Sequence, residues 1–217
     1  MLAIEHISKK YKRKKVLDDI SVQIEAGSIV GFVGVNGCGK STLISIIAGS
    51  SKADSGRVIC FGQDMTVHPR LFARFIGYVP QDDPLIEELS VLDNLKLWSR
   101  SPSTPYDSML EYMGLLEDKK TLVSRLSGGM KRRLSLACAL IDNQPILALD
   151  EITSSLDLYQ KEKIHSLIRD YASRGGTIVM TTHDEGEMGM CDKLYLMRDG
   201  KIAETSARTA IDSIKMG

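Results

Sequence analysis

Residues 34–42 read GVNGCGKST, a glycine-rich turn closed by a lysine and two hydroxyl side chains, a combination suited to binding phosphate. The stretch fits G-x-x-x-x-G-K-[ST], with Gly34, Gly39, Lys40 and Ser41 at the fixed positions. Gly37 and Gly39 permit backbone dihedrals that a Cβ would forbid, so the N–H groups of Val35, Asn36 and Cys38 can turn inward around a polyphosphate. Lys40 then supplies a movable point charge for the β and γ phosphates, and the Ser41 hydroxyl is a candidate ligand for Mg2+. An apolar run leads in at residues 28–33, and a helix starting near Lys40 and continuing through Thr42 adds the positive end of its dipole. A plain turn between strand and helix would leave the match at all four fixed positions unexplained.

Other residues have chemistry suited to the same substrate. Residues 145–151, PILALDE, place Asp150 and Glu151 at the end of a short apolar strand. Ligands of an open parallel sheet gather at the carboxyl ends of its strands, so these acids are expected near the phosphates. Asp150 suits Mg2+, directly or through water. Glu151 suits the orientation or deprotonation of an attacking water, a role typically worth roughly 10²- to 10⁴-fold in rate. His183 stands two residues past an apolar strand at 177–181, where an imidazole can hydrogen-bond a γ phosphate or that water, although a lone histidine is more often structural. Ser127, Gly128 and Gly129, within LSGGM, open a helix and make a second anion-binding end; a simple helix cap explains the same residues. Residues 9–15 set six basic side chains around Tyr11; the stretch alone reads as a solvated loop, and set ahead of the phosphate loop the Tyr11 ring gains a second reading, stacking on a nucleobase. Gln81, just past Pro80, lies outside a short strand and takes its meaning from the other motifs.

The elements that must position these residues follow from periodicity. Alternation around Leu2, Ile4, Ile7, Val22 and Ile24 predicts N-terminal antiparallel strands. Short strands are expected at 57–61, 76–79, 145–149 and 177–181, and a hairpin around Asp199 and Gly200. Ser90-x-x-Asp93 is a capping box for a helix carrying Leu92, Leu95 and Trp98 on one side; residues 101–105 break it, and a second helix runs over 106–113. No buried strand is read between about 82 and 141, so that segment reads as a helical insertion. Asp157 introduces a helix with Ile164, Leu167, Ile168 and Tyr171 on its buried stripe, and residues 207–216 make a closing helix.

The 217 residues, 43% hydrophobic and 26% charged, suit one soluble globular domain over 1–217. Formal net charge is zero, which draws the chain neither to nucleic acid nor to anionic lipid. No apolar run reaches membrane-spanning length and the first residues lack a secretion signal, so a cytoplasmic location is expected. Cys38, Cys60, Cys138 and Cys191 are scattered without metal-ligand spacing and are expected as buried free thiols. Cys38 is the exception, lying in the phosphate loop, and a thiol-alkylating reagent is expected to block nucleotide binding there, with the block lost in Cys38→Ala.

Taken in order, GVNGCGKST, Gln81, LSGGM, ILALDE, SSLD and His183 resemble the ATP-binding subunit of an ABC transporter, over nearly the whole chain. The resemblance implies an α/β fold: a P-loop NTPase core with a mostly parallel central sheet, an N-terminal antiparallel β subdomain and a helical subdomain at about 82–141. It implies that Tyr11 stacks on adenine, that Gln81 senses magnesium and water, and that Ser127 to Met130 form the signature that completes the ATP site of another copy. It makes Asp150 the magnesium aspartate, Glu151 the catalytic glutamate, His183 the switch histidine, and Asp157 the aspartate facing the partner. ATP and Mg2+ are the implied ligands. The implied partners are a membrane-spanning subunit, which holds the chain peripherally at the cell membrane, and a second copy or a similar ATPase subunit. Three departures stand out: ITSSLD where the family reads P-T-S-G-L-D, Met130 for the usual glutamine, and Cys38 for a small residue. Met130 is similar to efflux-type (ABC-2-like) members and leans toward export. A stand-alone phosphotransferase would leave LSGGM and SSLD without a role, and an ABC-type ATPase acting on DNA or the ribosome would usually carry coiled coils or a second cassette.

Overall fold

The computed structural model describes residues 1–100 and 104–215; residues 101–103 of the expected helix break and Met216 of the expected closing helix lie outside them. Strands β1 (Leu2–Tyr11), β2 (Lys14–Ile24), β4 (Ser55–Cys60) and β5 (Gln63–Asp64) form an antiparallel sheet in the order β2-β1-β4-β5. A second sheet joins β3 (Ile29–Val33), β6 (Ile76–Val79), β7 (Ile146–Asp150), β8 (Thr177–Thr181), β9 (Lys193–Arg198) and β10 (Lys201–Thr205) in the order β10-β9-β3-β8-β7-β6. Its pairs are parallel except β9 with β10, which turn through Asp199 (φ 50) and Gly200 (φ 77). Positive φ at both turn residues is what a two-residue hairpin requires.

Period two explains why the parallel strands are apolar throughout. Val30, Phe32, Ile146, Ala148 and Val179 pack with Leu43, Ile44 and Ile47 of α1 (Lys40–Ile47) and with the inner face of the antiparallel sheet. Ile29, Leu147, Leu149, Ile178 and Met180 pack on the opposite side with α3 (Val91–Trp98), α4 (Tyr106–Tyr112), α5 (Gly128–Leu140) and α6 (Leu158–Ser173). Both faces are covered, so neither can be polar. A single turn α2 (Phe72–Phe75), the short α7 (Glu185–Met188) and α8 (Ala207–Lys215) complete the chain. Among the described residues no helix is long and apolar enough to cross a membrane.

Several expectations change in detail. The basic stretch 9–15 is not a free loop: β1 runs to Tyr11 and β2 starts at Lys14, with Tyr11 paired to Lys14. The buried face of α3 carries Val91, Asn94 and Leu95, whereas Trp98 is 46% exposed; Asn94 is admitted because its amide bonds the backbone of Ile86 and Ser90. On α6 the buried residues include His165 beside Ile164 and Ile168. Cys60 and Cys138 are buried, while Cys38 and Cys191 are only partly so.

Candidate functional site

The phosphate loop lies between the end of β3 and the start of α1. Gly39 takes φ 114 immediately before α1, and a Cβ there would stand 3.0 Å from the Val16 side chain and carbonyl. No side chain caps α1 and no acid lies in its first turn, which leaves its leading N–H groups and dipole directed into the loop. Lys40 is 4% exposed; its Nζ donates to the Gly34 carbonyl at 3.0 Å and stands 3.4 Å from Glu151 Oε1. The Ser41 hydroxyl donates to Asp150 Oδ1 at 3.2 Å.

Strand ends bring the acids to this loop. Asp150 closes β7 and Thr181 closes β8, paired in parallel register. The Thr181 hydroxyl donates to Asp150 Oδ1 at 2.5 Å and accepts from the Glu151 N–H at 3.0 Å, so one side chain orients both acids. Burial raises the Asp150 carboxyl above the usual carboxylate range, and the hydroxyls of Thr181 and Ser41 offset part of that rise. Glu151 has φ 47, a left-handed conformation that is costly for a residue with a Cβ and common where a side chain must be re-aimed at a site. Its carboxylate is the meeting point: Lys40 on Oε1, Gln81 Nε2 at 3.5 Å and His183 Nδ1 at 3.7 Å on Oε2. A cleft of about 370 Å³ adjoins this carboxylate, lined by Val16, Asn36, Gly37, Gly39, Lys40, Ser41, Thr42, Gln81 and Glu151, with Asp150 and His183 behind the lining, in contact with Ser41 and Glu151 respectively.

The oxygen donors Ser41 and Asp150 suit a hard cation, and no cluster of three or more His, Cys, Asp or Glu side chains able to hold a metal occurs among the described residues. Few protein ligands, with phosphate and water filling the rest, is the pattern Mg2+ accepts.

Other sequence-derived candidates lie apart from this cleft. Tyr11 is 49% exposed near the tip of the β1–β2 hairpin, with Lys9 Nζ 5.5 Å from its ring, and does not line the cleft; Val16, five residues on, does. Cys38, with Val35, lines a neighbouring cavity of about 730 Å³ that reaches Arg198 and Ile214. Ser127 caps α5, its hydroxyl accepting from the Met130 N–H at 3.3 Å, and Asp157 caps α6, accepting from the Gln160 N–H at 2.9 Å. These two helix ends adjoin: a Cβ on Gly129 would meet Gln160 Oε1 at 2.1 Å, and one on Gly128 would meet Leu156 at 4.0 Å. Ser127, Gly128, Gly129 and Asp157 are absent from the lining of the Glu151 cleft. Sequence reasoning missed Val16 and Thr181; a threonine at the end of an apolar strand, level with the paired acids, was the only signal for the latter.

Comparison with known proteins gives the family. The ABC transporter family matches residues 17–154. The Nod factor export ATP-binding protein I of Rhizobium etli is 37% identical over 96% of this chain and 69% of its own length, and that of Mesorhizobium japonicum is 36% identical over 95% and 63%. The chain thus spans about two thirds of these relatives. A dimeric ATP-binding cassette solved in a post-hydrolysis state with ADP and Pi superposes with a TM-score of 0.85 at 27% identity, covering 96% of this chain and 99% of that one. Shared sequence over most of the chain, a shared fold and a phosphate loop facing paired acids lead to one assignment: the chain belongs to the ABC transporter family and is an ATPase of its ATP-binding cassette class.

Proposed function

We propose that two copies of this chain, or one copy and a similar subunit, bind Mg-ATP head to tail and drive export through a separate membrane-spanning subunit. The observation that carries this reading is the separation of two phosphate-binding ends: Glu151 gathers Lys40, Gln81 and His183 at one cleft, while Ser127, Gly128 and Gly129 open α5 beside Asp157 and outside it. Beside that second end Leu158 and Tyr159 are 77% and 66% exposed, side chains suited to burial against a partner. The dimeric state belongs to the structural neighbour and the word export to the relatives; both support extending these properties to this chain. The membrane subunit would hold it at the cytoplasmic face of the membrane. Nucleic acid has no part in this reading.

In the reaction, Lys40 exchanges the Gly34 carbonyl for phosphate oxygens, and the loop amides spread the developing charge. Ser41 and Asp150 would hold Mg2+, which supplies charge neutralisation at the β and γ phosphates when bound. Glu151 orients the attacking water and takes its proton, with Gln81 and His183 beside its carboxylate. Ser127 and the amides behind Gly128 and Gly129 of the second copy close the γ phosphate from the far side, with Asp157 at the seam, and Tyr11 meets the base. Glu151→Gln tests the core of this: turnover falls by roughly 10²- to 10⁴-fold and ATP-bound dimers accumulate in sedimentation. Wild-type hydrolysis by that variant, or a rate per protomer unaffected by dilution below the dimerisation range, overturns it.

A further inference from the structure

Glu187 on α7 is 1% exposed, and both its carboxylate oxygens are in use. Oε1 accepts from the Thr153 hydroxyl at 2.8 Å, and Oε2 accepts from the Thr182 hydroxyl. Thr153 lies two residues after Glu151 and four before Asp157; Thr182 immediately precedes His183. Further bonds fix the same corner. The Asp184 N–H donates to Thr182 Oγ1 at 2.9 Å, Asp184 accepts the Gly186 and Glu187 N–H groups, and Lys161 of α6 donates to Asp184 at 2.6 Å. His165 of α6 is also buried, its Nε2 3.8 Å from Glu187 Oε1.

We infer that Glu187 is a positioning residue: one buried carboxylate clamps the segment that carries Glu151 to the segment that carries His183, and so sets the spacing of those two side chains. The inference rests on the roles proposed above for Glu151 and His183. A buried carboxylate is costly unless its oxygens are bonded, so an apolar side chain would fill this corner more cheaply unless the polar link matters. Chemistry also makes the link specific. An ionised carboxylate only accepts, so both threonine hydroxyls point their protons at it, and Thr182 Oγ1 is left free to accept the Asp184 N–H. An amide at this position keeps the shape but offers one acceptor oxygen. Its NH2 would face one of the two hydroxyls as a donor, so Thr153 or Thr182 would have to reverse its hydroxyl and give up its donation to this side chain.

The test compares Glu187→Gln, Thr153→Val, Thr182→Val and the two-threonine double variant, in the full chain, by ATP titration and by steady-state kinetics. The expected result for Glu187→Gln is a kcat lower by about tenfold or more with an ATP dissociation constant within about threefold, because Lys40 and the phosphate loop do not touch Glu187. Each threonine variant lowers kcat, and the double variant falls less than the product of the two, since both act through one carboxylate. A kcat within about twofold in Glu187→Gln overturns the clamp, as do multiplicative losses in the double variant or an equal loss of ATP binding and turnover, which would mark general loosening. Should Glu187→Gln not fold, the threonine pair still decides. If Glu151→Gln abolishes turnover while Glu187→Gln keeps it, only the clamp fails; if Glu151→Gln keeps turnover, the proposed function itself fails.

Discussion

Ser155 takes φ 68, in the left-handed region, at the position where the family motif places glycine. Its side chain is exposed and, among the described residues, its hydroxyl makes no hydrogen bond, so nothing in the fold is lost when it is removed. A residue with a Cβ held left-handed costs about 1–2 kcal/mol relative to its relaxed conformation. Glycine escapes that strain but gains about 0.4–1 kcal/mol of unfolded-state freedom, which works against it. Ser155→Gly should therefore stabilise the protein by a net ~0.5–1 kcal/mol, and for a chain of this size raise Tm by about 1–4 °C. Urea unfolding measures this directly, with the midpoint moving upward and the slope unchanged. Ser155→Ala separates strain from hydroxyl chemistry: it keeps the Cβ and should stay within ~0.5 kcal/mol of the wild type. If Ser155→Gly is no more stable than the wild type, the left-handed strain assigned to this turn is wrong. If Ser155→Ala is destabilised by about 1 kcal/mol or more, the hydroxyl has an undetected partner.

Gly77 of β6 lies against α5 so closely that a Cβ would come 2.1 Å from the Ala139 carbonyl oxygen; Gly77→Ala should cost about 1–3 kcal/mol in denaturant unfolding, and wild-type stability would refute that contact. His165 is held above its ordinary value of 6.5 by the Glu187 carboxylate, against the opposing effect of burial, so its protonated form stabilises the fold. That contribution is complete below about 6.5 and fades as pH rises through the higher folded value, so the stability difference between wild type and His165→Gln should shrink from acid toward alkaline pH. A difference that grows with pH would reverse the sign. Thr181→Val removes the hydroxyl shared by Asp150 and Glu151 and should lower ATP turnover about tenfold or more, with Thr181→Ser restoring most of it. Equal turnover in the valine variant would show that the strand ends alone place the acids.

What the sequence could disclose was governed by burial and by distance along the chain. β6 and β8 fall on the same residues as read from the apolar runs, because strands covered on both faces must be continuously apolar. Ser127 and Asp157 were legible as helix starts because a cap is a local interaction, spanning three residues. The basic hairpin was not legible: pairing of Tyr11 with Lys14 continues a ladder past the apolar core, where no hydrophobic alternation marks it. Nor was α7, four residues long, nor the bonds of Thr181 to Asp150 and of Thr153 to Glu187, which join residues more than thirty apart. Side chains meeting across such separations leave no spacing pattern.

The segment from Glu151 to Asp157 shows how the departures from the family motif can leave the geometry in place. Two of its residues, Glu151 and Ser155, are left-handed, and such strain persists only where neighbouring contacts over-determine the backbone. Here the Glu151 N–H is held by both the carbonyl and the hydroxyl of Thr181. Ile152, in the place of proline, is fully buried in the core beneath the helices, so packing limits the backbone where a ring would have limited φ. Thr153 is tied to Glu187, and Asp157 is fixed as the cap of α6. Long-range anchors therefore sit at the first three residues and the last, and the exposed strained Ser155 lies in the interval between them, in a turn closed by local bonds, from the Ser154 N–H to the Glu151 carbonyl and from the Leu156 N–H to the Thr153 carbonyl. A displacement at Asp157 reaches Glu151 only by moving the Thr153 anchor or bending that interval. Relaxing the interval with glycine should thus weaken communication between the two ends even as it stabilises the fold, so that Ser155→Gly separates stability from any coupling of Asp157 to turnover.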